Sequence, residues 1–137
     1  MVCIYCGFPT RVINSRLQTK SNSIWRRRRC LNCVNVFTTH EVVDWASAFV
    51  VRDLKNAQLM PFSRDKLFMS IYKSCGHRPK AIGDASALVA TIIQKLLIKK
   101  GHHQAISTKT DIIETAQSTL DRFDKAAAMS YNAYHQS

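Results

Sequence analysis

Two pairs of cysteines, Cys3-x2-Cys6 and Cys30-x2-Cys33, carry the clearest chemistry in this chain of 137 residues. A C-x2-C turn aims two thiolates at one point, and backbone N–H groups in the turn can donate to the sulfurs. Two such knuckles at this separation form one tetrahedral zinc site. Gly7 suits a tight turn of positive φ after Cys6, and Asn35 suits the same task after Cys33. Four thiolates leave no open coordination position, so the zinc is expected to be structural. By analogy with zinc-finger peptides it would contribute roughly 10 kcal/mol or more to folding. The same residue types serve two other chemistries. A redox C-x-x-C needs only one pair, opening a helix in a βαβ unit, and four cysteines also hold iron–sulfur clusters. Cys75 falls on an apolar helical face and reads as core.

Directly against Cys30 stand Arg26, Arg27, Arg28 and Arg29. A surface built only for solubility mixes its charges. If 24–29 is a strand, alternation sets Trp25, Arg27 and Arg29 on one face and Arg26 and Arg28 on the other. Arg11 and Arg16 are expected to join the same surface. Zinc at Cys30 would hold these groups on a rigid element. Arginine forks match phosphate oxygens and guanine edges, which makes nucleic acid the expected partner.

The elements that hold these residues follow from pattern. Residues 1–46 are too short for a sufficient apolar core and need a staple. Residues 10–14, 24–29 and 36–39 read as strands, with Ser21-Asn22-Ser23 as a turn. Residues 47–137 form the second domain, with a soft boundary near 45–47. It opens on the β-prone Ala48–Arg52, and Leu54–Gln58 turns the chain back into Leu59-Met60 as a hairpin. Ser63 caps a helix over 64–75 whose apolar face is Leu67, Phe68, Ile71, Tyr72 and Cys75, with Gly76 as its stop. Asp84 is expected to cap a second helix, with Leu88, Val89, Ile92, Ile93 and Leu96 inward, ending at Lys99-Lys100-Gly101. Thr108 caps a third, with Ile112, Ile113, Ala116 and Leu120 inward, and a fourth spans about 124–134. The fold class expected is α+β: a small N-terminal β zinc ribbon, then a mostly helical domain opened by a β-hairpin.

Composition narrows the partners. The net charge is +11. Residues 1–46 hold 7 basic and 2 acidic side chains and residues 47–137 hold 13 and 7, so the cationic excess is concentrated in the first region. Such an excess favours phosphate-bearing partners. No apolar run approaches the ~18–20 residues of a membrane helix, and the N-terminus lacks the pattern of a signal peptide. A cytosolic protein without membrane attachment is expected, and an odd cysteine count there argues against a disulfide framework. No H-x-E accompanies a C-x2-C, no open metal position exists and no Ser/His/Asp set stands out, so no enzyme is expected. His102-His103 reads as an exposed loop. There is no G-x4-G-K-[ST]. A lysine at a helix start, Lys66, near a strand arginine, Arg52, is compatible with phosphate.

Taken together, Cys3-x2-Cys6, Val12-Ile13-Asn14-Ser15-Arg16, Arg26-Arg27-Arg28, Cys30-x2-Cys33 and Phe37-Thr38-Thr39-His40-Glu41 resemble the NrdR family, zinc-ribbon repressors of bacterial ribonucleotide reductase genes. Val50-Val51-Arg52, Pro61 through Leu67 and Arg78-Pro79 look like the opening of that family's ATP-cone. The resemblance implies a cytoplasmic bacterial repressor whose ribbon binds double-stranded operator DNA through Arg11, Arg16 and Arg26–Arg29. It implies an ATP-cone over 47–137 that senses ATP and dATP and sets the homo-oligomer, with Val51, Arg52, Lys66 and Thr108 at the nucleotide. Asn14, Arg29 and Val36 stand where the family usually has aspartate, glutamate and arginine. In the cone Arg52, Met60 and His77 replace the usual lysine, glutamate and lysine. A zinc-ribbon RNA-binding or ribosome-associated module, with the helical region docking protein, is the alternative of a different class.

Overall fold

The computed structural model describes residues 1–100, Lys100 by its backbone alone, and 106–135. The chain forms two compact units, Met1–Asp44 and Trp45–Ser137. The helix stop expected at Gly101 and the His102-His103 loop lie outside the described residues.

The first unit is a three-stranded antiparallel sheet of β1 (Thr10–Gln18), β2 (Ser23–Cys30) and β3 (Val36–Val42), in that order. β1 and β3 run further than their apolar content suggests. A hairpin ladder, once started, satisfies each added backbone group whatever the side chain. The β1–β2 turn is a 3-10 turn at Thr19–Ser21 followed by Asn22 at φ 45, the left-handed conformation asparagine tolerates. β1 carries a bulge at Ile13, between Val12 opposite Arg28 and Asn14 opposite Arg27. The buried core of this unit is only Cys3, Cys30 and Phe37, with Cys6 and Cys33 packed against it. So small a core requires the metal staple.

In the second unit, α1 (Trp45–Ala48) leads into β4 (Val50–Arg52), then β5 (Leu59–Pro61), α2 (Arg64–Ser74), α3 (Ala81–Lys100), β6 (Ile106–Thr108), α4 (Lys109–Phe123) and α5 (Lys125–His135). The sheet order is β5-β4-β6, with β5 antiparallel and β6 parallel to β4. A parallel neighbour needs a long crossover, which α2 and α3 supply. The helical periodicity holds: Leu67, Ile71, Cys75, Leu88, Val89, Ile92, Ile93, Leu96, Ala116 and Leu120 lie in one core with Tyr131. Ser63 Oγ accepts from Lys66 N at 3.2 Å, closing the expected cap.

Two local expectations are corrected, and one strand is new. Ala48 ends the short helix α1 and does not open the strand, because the Trp45 carbonyl accepts from Phe49 N. β6 is a strand no apolar run announces; three residues suffice because β4 offers a free edge. Asp84 does not cap α3, which starts a turn earlier at Ala81 after Pro79. The fixed φ of proline prepares a helix start, and the Asp84 carboxylate instead accepts from Arg78 Nε at 2.7 Å. Residues Ala81–Lys99 of α3 are also long and apolar enough to cross a membrane by length and composition alone. The polar residues scattered through the helix hide this from a search for unbroken apolar runs, and its inner face packs in the core of the second unit.

Candidate metal centre and nucleic-acid interface

The four sulfurs of Cys3, Cys6, Cys30 and Cys33 all lie within 4.8 Å of one another. Cys3 and Cys33 Sγ stand 3.6 Å apart and Cys6 and Cys30 Sγ 3.5 Å. A disulfide needs about 2.05 Å, whereas thiolates at ~2.3 Å from a tetrahedral zinc stand about 3.8 Å apart. The arrangement is that of a metal centre. The two knuckles are built alike. Tyr5 N donates to Cys3 Sγ at 3.4 Å and Asn32 N to Cys30 Sγ at 3.3 Å. Burial pushes the Cys30 thiol up, but the N–H groups of Asn32 and Cys33 and the neighbouring Cys6 and Cys33 thiols outweigh it and bring the group down to about 6. A thiolate is therefore available at neutral pH for the metal.

The residue after each knuckle is left-handed: Gly7 at φ 74 and Val34 at φ 63. The expectation placed this role on Asn35, one position too late. Asn35 instead donates its side-chain N–H to Cys33 Sγ at 3.4 Å. A β-branched residue at positive φ is strained, so Val34 gives no sequence signal for this conformation. The symmetry of the two knuckles, with Gly7 directly after Cys6, was the available clue.

β2 runs straight out of this centre. Its cross-strand register separates the arginines by face. Arg29 lies opposite Arg11 on β1 and Val36 on β3, Arg27 opposite Asn14 and Thr38, and Trp25 opposite Arg16 and His40. The Arg16 guanidinium stands 5.9 Å from the Trp25 ring centroid, a cation–π contact. Arg11, Arg16, Arg27 and Arg29 are exposed, and among the described residues no carboxylate lies within ion-pair distance of them. The other face differs. Arg26 pairs with Glu41 at 3.0 Å, and Arg28 Nε donates to Thr39 Oγ1 at 3.1 Å. Both are half-buried.

In the second unit, Arg52 and Thr108 are register partners across β4 and β6, and Val51 pairs with Ser107. Val51 is buried. The Thr108 hydroxyl is committed to a capping box: it accepts from Asp111 N at 3.1 Å and donates to Asp111 Oδ2 at 2.8 Å. Lys66 is exposed in the first turn of α2; among the described residues no hydrogen bond joins its side chain to Arg52 or Thr108.

Residues 1–41 match the family model described as "Transcriptional repressor NrdR-like, N-terminal domain". The chain is 33% identical over 138 residues to the transcriptional repressor NrdR of Nitrosomonas eutropha, covering all of this chain and 83% of that protein. The chain belongs to the NrdR family of transcriptional repressors. The NrdR of Acetivibrio thermocellus is 31% identical over 140 residues, covering 99% of this chain and 87% of that protein. That of Syntrophotalea carbinolica is 39% identical over 97 residues, covering 70% and 60%. As an NrdR ribbon, the four-cysteine centre is a zinc site, and the geometry agrees: four sulfurs, tetrahedral spacing and N–H donors around them. Zinc there draws the two knuckles together and fixes the end of β2 from which the arginines project.

Proposed function

We propose that this chain is a nucleotide-responsive repressor of ribonucleotide reductase genes, acting in the bacterial cytoplasm. Its ribbon binds double-stranded operator DNA, and its second unit, an ATP-cone, binds ATP or dATP and sets the assembly. The observation that carries the DNA reading is the Arg11–Arg29 cross-strand pair beside Arg27, on a face without carboxylates among the described residues. Like charges directly opposite one another destabilise a sheet. A polyanion relieves that repulsion, and released counterions add to the affinity. Arg11, Arg27, Arg29 and Arg16 make the primary contacts. Arg26 and Arg28, held by Glu41 and Thr39, brace the other face of the central strand and add their charge to the attraction for DNA.

The nucleotide reading rests on family membership and on the Arg52–Thr108 pairing, which sets a cation beside the N-terminus of α4. A helix N-terminus and a cation together favour phosphate. Val51 supports the floor, and Lys66 adds a second positive charge. Regulation is then linkage: adenine nucleotide must bind one assembly more tightly than another. The chain itself acts as a regulator and not as an enzyme.

The test is calorimetric titration of zinc-loaded protein with ATP, dATP and GTP, with sizing of each complex and operator binding over a salt series. Adenine-selective binding that changes both assembly and operator affinity supports the reading. Binding of structured RNA over duplex DNA at matched salt overturns it in favour of an RNA-binding module.

A further inference from the structure

β1 uses nine residues, Thr10–Gln18, where its partner β2 uses eight, Ser23–Cys30. Both ends of the ladder are closed. Thr10 lies opposite Cys30 at the metal centre, and Gln18 opposite Ser23 at the turn. One residue of β1 must therefore bulge, and it is Ile13. β2 and β3 pair without a shift from Ser23 to Arg29, so the irregularity belongs to the β1 side alone. Nothing local asks for it at this position. A β-branched side chain suits a regular pleated strand. Ile13 is 46% exposed and stands outside the core of its unit, which is Cys3, Cys30 and Phe37.

The position of the bulge decides which arginines share a face. Arg11 and Arg16 are five residues apart, and in an unbroken strand an odd separation sets them on opposite sides. With Ile13 set aside, Arg11, Asn14 and Arg16 fall opposite Arg29, Arg27 and Trp25, which alternate onto one face of β2. Directly opposed residues of an antiparallel pair share a face. The Arg16 guanidinium, 5.9 Å from the Trp25 ring centroid, confirms the side. Had the extra residue been absorbed at Leu17 instead, Arg16 would stand opposite Ile24, on the face of Arg26 and Arg28. A bulge also bends its strand and adds right-handed twist, and such bends re-aim side chains beside functional sites. Here the twist falls between the Arg11–Arg29 pair and the Arg16–Trp25 pair.

From this we infer that the Ile13 bulge is the positioning element of the nucleic-acid face. It keeps Arg16 on the side of Arg11, Arg27 and Arg29, and its twist lets Arg11 and Arg16 reach the backbone of one duplex together. The inference rests on the DNA reading of the ribbon. The probe is the duplex that the zinc-loaded full chain selects from a random-sequence pool, with ATP, with dATP and without nucleotide. Three variants are compared with the parent over a salt series. Deletion of Ile13 removes the bulge and keeps every cross-strand pair. Ile13→Ala keeps the bulge and trims the side chain. Ser15→Arg with Arg16→Ser keeps bulge and net charge but moves one guanidinium to the other face, opposite Arg26. The deletion and the charge swap are each expected to lower affinity about tenfold or more and the salt slope by about 1, the signature of a lost phosphate contact. Ile13→Ala should stay within about twofold of the parent, and zinc content at one per chain throughout. A deletion variant that binds like the parent overturns the inference and leaves the DNA reading standing. So does an Ile13→Ala loss as large as that of the deletion, since the side chain and not the bulge would then make the contact. Weaker binding at an unchanged slope also overturns it, because that reports only a smaller folded fraction. If the deletion costs the chain its zinc, the charge swap decides: affinity equal to the parent overturns the inference, and a tenfold loss with a lower slope supports it. A parent that selects no duplex under any condition overturns the DNA reading and the inference with it.

Discussion

At the scale of single residues, β2 assigns different work to neighbouring arginines. Arg27 and Arg29 face outward without carboxylates, while Arg26 is engaged by Glu41. Arg27→Ala with Arg29→Ala is expected to weaken operator binding at least about tenfold and to lower the salt slope by roughly 1 for each phosphate no longer neutralised. Arg26→Ala should cost less, because its guanidinium is partly neutralised. Fluorescence anisotropy over a salt series separates the variants, and zinc content should remain at one per chain in each. Val34 offers a second test. Its φ of 63 strains a β-branched residue that glycine accommodates, as Gly7 does in the matching knuckle. Val34→Gly is expected to stabilise the zinc-loaded ribbon by about 1 kcal/mol, the left-handed penalty less the added chain entropy of glycine. A lower thermal midpoint in calorimetry would contradict this account of the knuckle.

At the scale of elements, one aspartate fastens two helix junctions. Asp124 Oδ1 accepts from Ala126 N and Ala127 N at 2.9 and 3.2 Å, capping α5. Its Oδ2 accepts from Arg78 Nη1 at 2.8 Å and contacts His77 Nε2 at 3.1 Å, both in the turn between α2 and α3. Arg78 also lies 4.5 Å from the Phe123 ring centroid. Arg78 first, then His77 and the Ala127 N–H, hold the Asp124 carboxyl well below the usual carboxylate range. A depressed carboxyl contributes stability that is fully present above its unfolded value, about 3.9, and is lost as pH falls through the folded one. Asp124→Asn should therefore lower the thermal midpoint above about pH 4, and the gap to the parent should narrow as the medium is acidified further. A gap that stays constant through acid pH would show that the charge of Asp124 is not what fastens the junctions. His77 stands where the family usually has lysine, and in this chain it joins that fastening.

At the scale of the whole molecule, the two units depend on different forces. Met1–Asp44 has three buried core residues and a metal centre; Trp45–Ser137 has a continuous apolar core across four helices. Chelating zinc, or Cys30→Ser, should unfold the ribbon and abolish DNA binding, while the helical circular dichroism of the second unit persists. The loss follows from roughly 10 kcal/mol or more of metal-linked folding energy, which three buried side chains cannot replace. Loss of the helical signal on chelation would mean that the units are not energetically separate. The charge pattern works at this scale too. Cationic groups without carboxylates beside them concentrate on one face of the ribbon, whereas in the second unit Arg78, Lys99 and Lys109 are paired with Asp84 and Asp124, Asp111, and Asp53.

The residue types and spacing alone determined the metal centre, the two-part chain and the helical core. A C-x2-C turn is a local structure, and so are a Ser63 cap and a 3.6-residue apolar repeat; each is complete within a few residues. The alternation of Arg26 to Arg29 was legible for the same reason, since side chains on a strand must alternate. Only the tertiary structure decided which face is open, because Glu41, Thr39 and Arg11 come from strands whose register no single segment specifies. It alone decided β6, whose hydrogen bonds belong to β4, and the start of α3, where Arg78 takes the carboxylate of Asp84. Val34 is the sharpest case: closing four sulfurs around one point imposes a backbone conformation that its own side chain disfavours.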